Sequence, residues 1–175
     1  NEAMRTELEE VSVVSRPETA LFMAMAGMPD AARAANDQLG SAEDRRRRGL
    51  VIDALTEFKA GKAEAAESRL NVAALSLTID DQAYFFVGLD VLSRIHQQGG
   101  DLVLATEVLE NTMGKQRRAA YTGTGVFWLM CQGQLSRLYR AGDRLEESGQ
   151  IESNLKELLA RADASFPMAK EFAAL

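Results

Sequence analysis

The apolar residues of this chain fall into stretches of helical spacing, and these stretches end at glycines, prolines or short polar segments. Alanine, leucine and glutamate are abundant and only three prolines interrupt the pattern, which favours helices over sheets. Short β-branched clusters occur at 11–14 and 75–79, and neither alternates as a half-buried strand does. The pattern therefore predicts an all-α protein.

The helix boundaries follow from glycine, proline and capping residues. Helices are predicted at 3–14, 17–26, 29–39, 42–60, 63–76, 81–98, 101–112, 125–141, 144–162 and 167–174, with an irregular segment at 113–124. Pro17 and Pro29 fit first turns, and Ser41 with Asp44 fits a capping box. Three later helices have candidate caps or first-turn acids in Asp80 or Asp81, Asp101 and Asp143.

A unit of 34 to 42 residues recurs along the chain. Glycines follow apolar helical stretches at Gly27, Gly61, Gly100 and Gly142. Alanine stands five positions after the first three of these, at Ala32, Ala66 and Ala105, and branched aliphatics stand nine positions after the last three, at Leu70, Leu109 and Ile151. A glycine lets the chain turn, and a small residue lets the second helix cross the first closely. This arrangement indicates tandem helix–turn–helix repeats.

The fourth unit departs from this register. Glu147 occupies the position of the small residue, and Gly149 follows shortly after it. We expect either a shifted second helix or a terminal cap on which no further repeat stacks.

The motifs of residues 104–175 resemble a known repeat family. They include Ala105-x-x-x-Leu109-Glu110, Phe127-Trp128-Leu129, Leu135-x-x-Leu138-Tyr139-Arg140-x-Gly142, Ile151-Glu152-x-x-Leu155 and Leu158-Leu159. This region resembles the end of bacterial tetratricopeptide arrays, which often follow a protein-kinase or winged-helix domain. The resemblance implies a right-handed superhelical solenoid of antiparallel helix pairs. It also implies that 1–175 is one repeat domain, a piece of a longer multidomain signalling protein, with no catalytic residues.

Charge and composition narrow the function classes. A formal net charge of −6 disfavours nucleic acid as a partner of this segment. No apolar stretch reaches the roughly 18 residues of a membrane span, and the single cysteine, Cys131, fits a buried hydrophobe in a reducing cytoplasm. We therefore predict a cytoplasmic protein with no membrane partner.

The candidate chemistry is sparse. A lone histidine, His96, cannot supply a catalytic triad or a two-histidine metal site. The segment 121–125 has glycines but no phosphate-loop ending. The arginines at 45–48 fit a solvated helix end or an anchor for an acidic partner, because neighbouring positions on a helix point apart. The adjacent acidic pairs diverge for the same reason. We predict no enzyme, no metal and no cofactor.

The repeat register predicts a binding groove along the first helices of the units. A peptide or partner domain would contact residues at positions 50, 54, 57, 89, 93, 96, 131, 134 and 138, above all Leu89, Ser93, His96, Gln134 and Leu138. Aromatic anchors would be Tyr84, Phe127 or Trp128, if exposed. The alternative is a helical sensor that binds a small molecule in an enclosed cavity. We also expect a homodimer through the N-terminal helices, which carry Leu21, Phe22, Met23 and Met25.

Overall fold

The structure, a computed structural model, describes residues 17–113 and 125–160. Its helices are α1 (Pro17–Met25), α2 (Pro29–Asp37), α3 (Ala42–Lys59), α4 (Ala63–Ala74), a 3-10 turn (Ile79–Asp81), α5 (Gln82–Gln98), α6 (Leu102–Met113), α7 (Gly125–Ala141) and α8 (Leu145–Leu159). No strand occurs within the two described ranges, so the all-α prediction is confirmed there. The predicted helices at 3–14 and 167–174, and the segment 114–124, lie outside the described residues.

The chain divides into two compact units, Asn1–Val91 and Leu92–Leu175, with the division inside α5. In unit 1, α1 packs on α2 and α3, α2 on α3, and α3 on α4. In unit 2, α6 packs on α7, and α7 on α8. The single domain over 1–175 stays a prediction.

Local hydrogen bonds explain where several helices begin. The Asp44 N–H donates to Ser41 Oγ at 3.1 Å, and the Ser41 N–H donates to Asp44 Oδ2 at 2.9 Å, which confirms the capping box at α3. Asp101 caps α6 by accepting from the Leu104 N–H at 2.9 Å. Asp143 does not cap α8, because Arg144 takes the capping position and makes no side-chain cap bond.

Four turns between helices share one backbone pattern. The residue after each turn donates its N–H to the carbonyl five positions earlier: Met28 to Met23 at 2.9 Å, Lys62 to Glu57 at 2.9 Å, Asp101 to His96 at 2.9 Å and Arg144 to Tyr139 at 2.8 Å. The preceding residue has a positive φ of 80° at Gly27, 75° at Gly61 and 84° at Gly100. This is the hydrogen bond of a Schellman-type helix end. The predicted recurrence of helix–turn–helix corners is therefore present in the backbone.

The fourth corner corrects the predicted register by one residue. The positive φ of 59° belongs to Asp143, not to Gly142. Aspartate tolerates this left-handed conformation better than most residues because its short side chain can bond locally. Five positions after Asp143 stands Ser148 rather than Glu147, and Ser148 is buried as Ala32, Ala66 and Ala105 are. The small-residue rule thus holds in all four units. The aliphatic predicted nine positions after the corner does not, because the shifted register places Glu152 there instead of Ile151.

A second small residue precedes the positive-φ residue of each corner, which we call the corner residue. It stands seven positions before the corner residue and is buried in every unit, as Ala20, Ala54, Ser93 and Ser136. In the fourth corner the two hydroxyls of Ser136 and Ser148 lie 3.0 Å apart, and the Ser148 hydroxyl also donates to the Ser136 carbonyl at 3.0 Å. Small side chains allow α7 and α8 to approach closely at this point.

Candidate functional site

The five predicted groove residues occupy different environments. Ser93, Gln134 and Leu138 are buried, and Leu89 and His96 are half-buried. Ser93 is the buried small residue seven positions before the corner residue Gly100. Gln134 is buried against Gln97, donating to its side-chain carbonyl at 2.9 Å. Burial favours a packing role for these three residues. Partner binding through Leu89 and His96 stays a prediction.

The predicted aromatic anchors also separate by exposure. Tyr84 and Phe127 are buried in the core, whereas Trp128 is half-buried. Cys131 is buried, as expected for a small hydrophobe. Among the three aromatic candidates, Trp128 therefore offers accessible surface.

A groove with a cavity volume of about 800 Å³ lies in unit 2 between α6, α7 and α8. Its lining residues are Glu110 and Met113 from α6, Trp128, Gln132, Leu135 and Tyr139 from α7, and Gln150, Ile151, Asn154, Leu155 and Leu158 from α8. Pockets that hold ligands are usually about 300–1,000 Å³, so this groove is large enough to bind one. We call it the α6–α8 groove.

Apolar and carboxamide side chains make up most of the groove surface. Leu135 and Leu155 are buried and form part of the floor, whereas Leu158 is 59% exposed. The Gln150 amide donates to the Asn154 side-chain carbonyl at 3.1 Å. The exposed leucine gives a ligand apolar surface to cover, and the carboxamides can both donate and accept hydrogen bonds.

A charged network fixes one end of the groove. The Tyr139 hydroxyl donates to Glu110 Oε1 at 2.6 Å, and Arg144 Nη1 donates to the same oxygen at 2.8 Å. The Arg144 guanidinium lies 4.1 Å from the centre of the Tyr139 ring and also binds Glu147 at 2.8 Å. Burial, together with the bond to the Glu110 carboxylate, raises the pKa of Tyr139 to about 12. The tyrosine therefore stays protonated at neutral pH and continues to donate to Glu110.

Trp128 contributes a hydrogen-bond donor that is not satisfied. Its indole Nε1 is buried and has no partner among residues 17–113 and 125–160. A buried unpaired donor costs about 1–3 kcal/mol. A ligand acceptor that reached this N–H after a small side-chain rotation would recover part of that cost.

The second helix–turn–helix unit provides an internal comparison for the groove. Counted from the corner residues Gly61 and Asp143, Asp53 corresponds to Leu135, Glu57 to Tyr139 and Arg69 to Ile151. In the second helix–turn–helix unit, which lies in unit 1, Arg69 pairs with Glu57 at 2.7 Å and with Asp53 at 3.8 Å. The repeat thus accepts ion pairs at these positions. The third helix–turn–helix unit has the apolar residues Leu92 and Val108 at two of these positions, so the contrast is with the second unit.

The arginine run does not form a second site. Arg48 is buried and donates to Asp81 Oδ1 at 2.8 Å, and Arg47 donates to Asp81 Oδ2 at 3.3 Å. The interpretation as a solvated helix end is wrong for Arg48. Its position, three and four residues before the buried Val51 and Ile52, was the sequence signal for an inward-facing arginine.

Other kinds of site are not found in the described parts of the chain. No group of three or more histidine, cysteine, aspartate or glutamate side chains there is placed to hold a metal ion. No helix within residues 17–113 and 125–160 combines the length and the apolar character needed to cross a membrane. Comparison with known proteins found no matching family model, no similar curated protein and no similar solved structure.

Proposed function

We propose that this chain is a cytoplasmic interaction module of tetratricopeptide-like repeats, and that it binds a segment of a partner protein in the α6–α8 groove. The four corners with one hydrogen-bond pattern support a right-handed solenoid of antiparallel helix pairs. Stacked repeats of this kind create extended concave surfaces, which suit the binding of a partner. The binding surface differs from the one expected from the register alone.

The observation that carries this proposal is the chemical contrast between equivalent positions. In the second helix–turn–helix unit, Arg69 forms ion pairs with Asp53 and Glu57 at these positions. In the fourth helix–turn–helix unit, Trp128 and Leu158 are partly exposed in a cavity of about 800 Å³. Exposed apolar surface in a concave site is characteristic of ligand binding.

The groove volume also favours a second candidate, a sensor for a small molecule. The lining distinguishes the two candidates. A sensor cavity encloses its ligand, whereas Leu158 is largely exposed at the edge of this groove. We therefore prefer a peptide segment, which can extend past the edge.

The test uses the fluorescence of Trp128, the single tryptophan of the chain. Pools of N-acetylated, C-amidated octapeptides, each with one fixed residue, are titrated into the protein. We expect some pools to shift the Trp128 emission. Leu158→Asp should weaken their binding at least tenfold, because it places a charge where a partner buries apolar surface.

Leu145→Asp is the matched control, since Leu145 is also an exposed leucine of α8 but does not line the groove. It should leave binding within about twofold, as a surface change away from a contact does. Equal losses in the two variants would contradict the proposed site. Emission shifts with a small-molecule fragment library, but with no peptide pool, would favour the sensor.

A further inference from the structure

We infer that the α6–α8 groove selects a partner segment in which a basic side chain neighbours an apolar one, with the cation bound by Glu110. This inference rests on the proposed function and adds the chemistry of the partner. It follows from the charge of the groove walls, the geometry of Glu110 and the polar groups of the lining.

Of the three helices that line the groove, α6 and α8 are acidic, whereas α7 carries Arg137 and Arg140 and no acidic residue. Leu102–Met113, the α6 wall, contains Glu107 and Glu110 and no basic residue. The α8 wall, Leu145–Leu159, contains four glutamates and a single lysine, Lys156. Two glutamates, Glu110 and Glu147, share the one guanidinium of Arg144. The three helices together carry six glutamates and three basic residues, and Glu110 is the charged residue of the lining, so the groove favours cations over anions.

Glu110 is held in a position to bind a further cation. Both hydrogen bonds that it accepts, from Tyr139 and Arg144, go to Oε1. Oε2 takes part in no hydrogen bond within the described ranges, and the Glu110 side chain is 32% exposed. The carboxylate is thus already oriented, so a lysine or arginine of a partner would lose little energy in ordering it.

The rest of the lining fits a peptide backbone and an apolar side chain. Gln132, Gln150 and Asn154 present carboxamides, which can pair with backbone N–H and C=O groups. Leu158 and the ring of Trp128 supply the apolar contact. A segment with adjacent basic and apolar residues uses both kinds of surface at once.

The same octapeptide pools test this inference on the full chain. Pools with lysine or arginine fixed should bind about tenfold more tightly than the pool with glutamate fixed. Glu110→Gln should reduce this preference to within about twofold. Glu107→Gln, on the same helix but outside the groove lining, should retain it.

The outcomes separate the inference from the proposed function. Peptide binding without a preference for basic residues would overturn the inference and leave the interaction module standing. An equal loss in Glu107→Gln and Glu110→Gln would overturn the assignment to Glu110. No emission change with any pool would overturn the proposed function itself. If circular dichroism shows that Glu110→Gln does not fold, the wild-type protein is titrated at increasing salt concentration instead. The preference for basic peptides should then weaken, because salt screens charge interactions. A preference that does not change with salt would overturn the inference.

Discussion

The buried Asp81 carboxylate accepts several side-chain hydrogen bonds in unit 1. It is 1% exposed and accepts hydrogen bonds from Arg47 and Arg48 of α3 and from the Thr78 hydroxyl at 2.9 Å. The Arg48 guanidinium also lies 5.9 Å from the centre of the Tyr84 ring. One carboxylate therefore connects α3, the 3-10 turn and, through Tyr84, α5. Removing one partner of a buried ion pair is costly because the other charge stays buried without compensation.

We predict that Asp81→Ala lowers the free energy of unfolding by about 3 kcal/mol, since it leaves Arg48 buried and uncompensated. Asp80→Ala is the matched control, because Asp80 is exposed beside it. It should change stability by less than about 0.5 kcal/mol. Urea denaturation followed by circular dichroism measures both. Equal effects of the two substitutions would show that the buried network does not stabilise unit 1.

The same carboxylate makes stability depend on pH. Burial opposes ionisation of Asp81, but the hydrogen bonds from Arg48 and Thr78 outweigh it and lower the pKa of Asp81 below its ordinary 3.8. A lowered folded pKa contributes stability that is complete above the ordinary value and is lost as pH falls through the folded value. The stability difference between wild type and Asp81→Ala should therefore be constant from pH 7 to pH 5 and shrink at lower pH. A constant difference down to the acid limit of folding would contradict this.

At the scale of elements, the corners decide which glycines are required. Gly100 has a φ of 84°, which an L side chain rarely adopts, whereas Asp143 and not Gly142 takes that conformation in the fourth corner. A Cβ at position 142 would meet Leu102 at 3.5 Å, an ordinary contact. The two glycines look alike in the sequence but have different roles.

We predict that Gly100→Ala destabilises the protein by about 1 kcal/mol because alanine pays for the left-handed conformation. Gly142→Ala should be neutral or stabilising by up to about 1 kcal/mol, since it restricts only the unfolded chain. Thermal melts of the two variants against wild type provide the comparison. A larger loss in Gly142→Ala than in Gly100→Ala would restore the register expected from the sequence.

At the scale of the whole molecule, the structure shows which of the N-terminal apolar side chains remain exposed for pairing with a second copy. Leu21 and Met23 are buried in unit 1, Met25 is half-buried, and Phe22 is 40% exposed. Two of the four side chains expected to pair with a second copy are thus used in the protein's own core. The homodimer stays a prediction, and it now depends mainly on Phe22.

We expect dimerisation to be weak and visible only at high concentration, because the remaining apolar surface is small compared with stable interfaces of about 1,200–2,000 Å². Phe22→Ser should abolish it. Val72→Ser is the control, a change at an apolar residue of α4 that is 50% exposed. Light scattering over a concentration series gives the mass of each variant. A wild-type protein that stays monomeric throughout would exclude the dimer.

The sequence by itself determined the helices and three of the four corners. Capping pairs such as Ser41 and Asp44, and the glycines at Gly27 and Gly61, act through hydrogen bonds between residues close in the chain, so their patterns can be read directly. The predicted helix ends agree with the structure to within two residues in the described ranges, except that α8 ends at Leu159 and not at 162.

Only the tertiary structure decided the site. The pairing of Arg48 with Asp81 spans 33 residues, and the α6–α8 groove is assembled from three helices. Periodicity shows which face of a helix is apolar, but not which neighbouring helix covers it. Ser93 and Gln134 were therefore expected at a groove and are buried. Burial depends on the packing of elements distant in sequence, whereas a helix end depends on its own few residues.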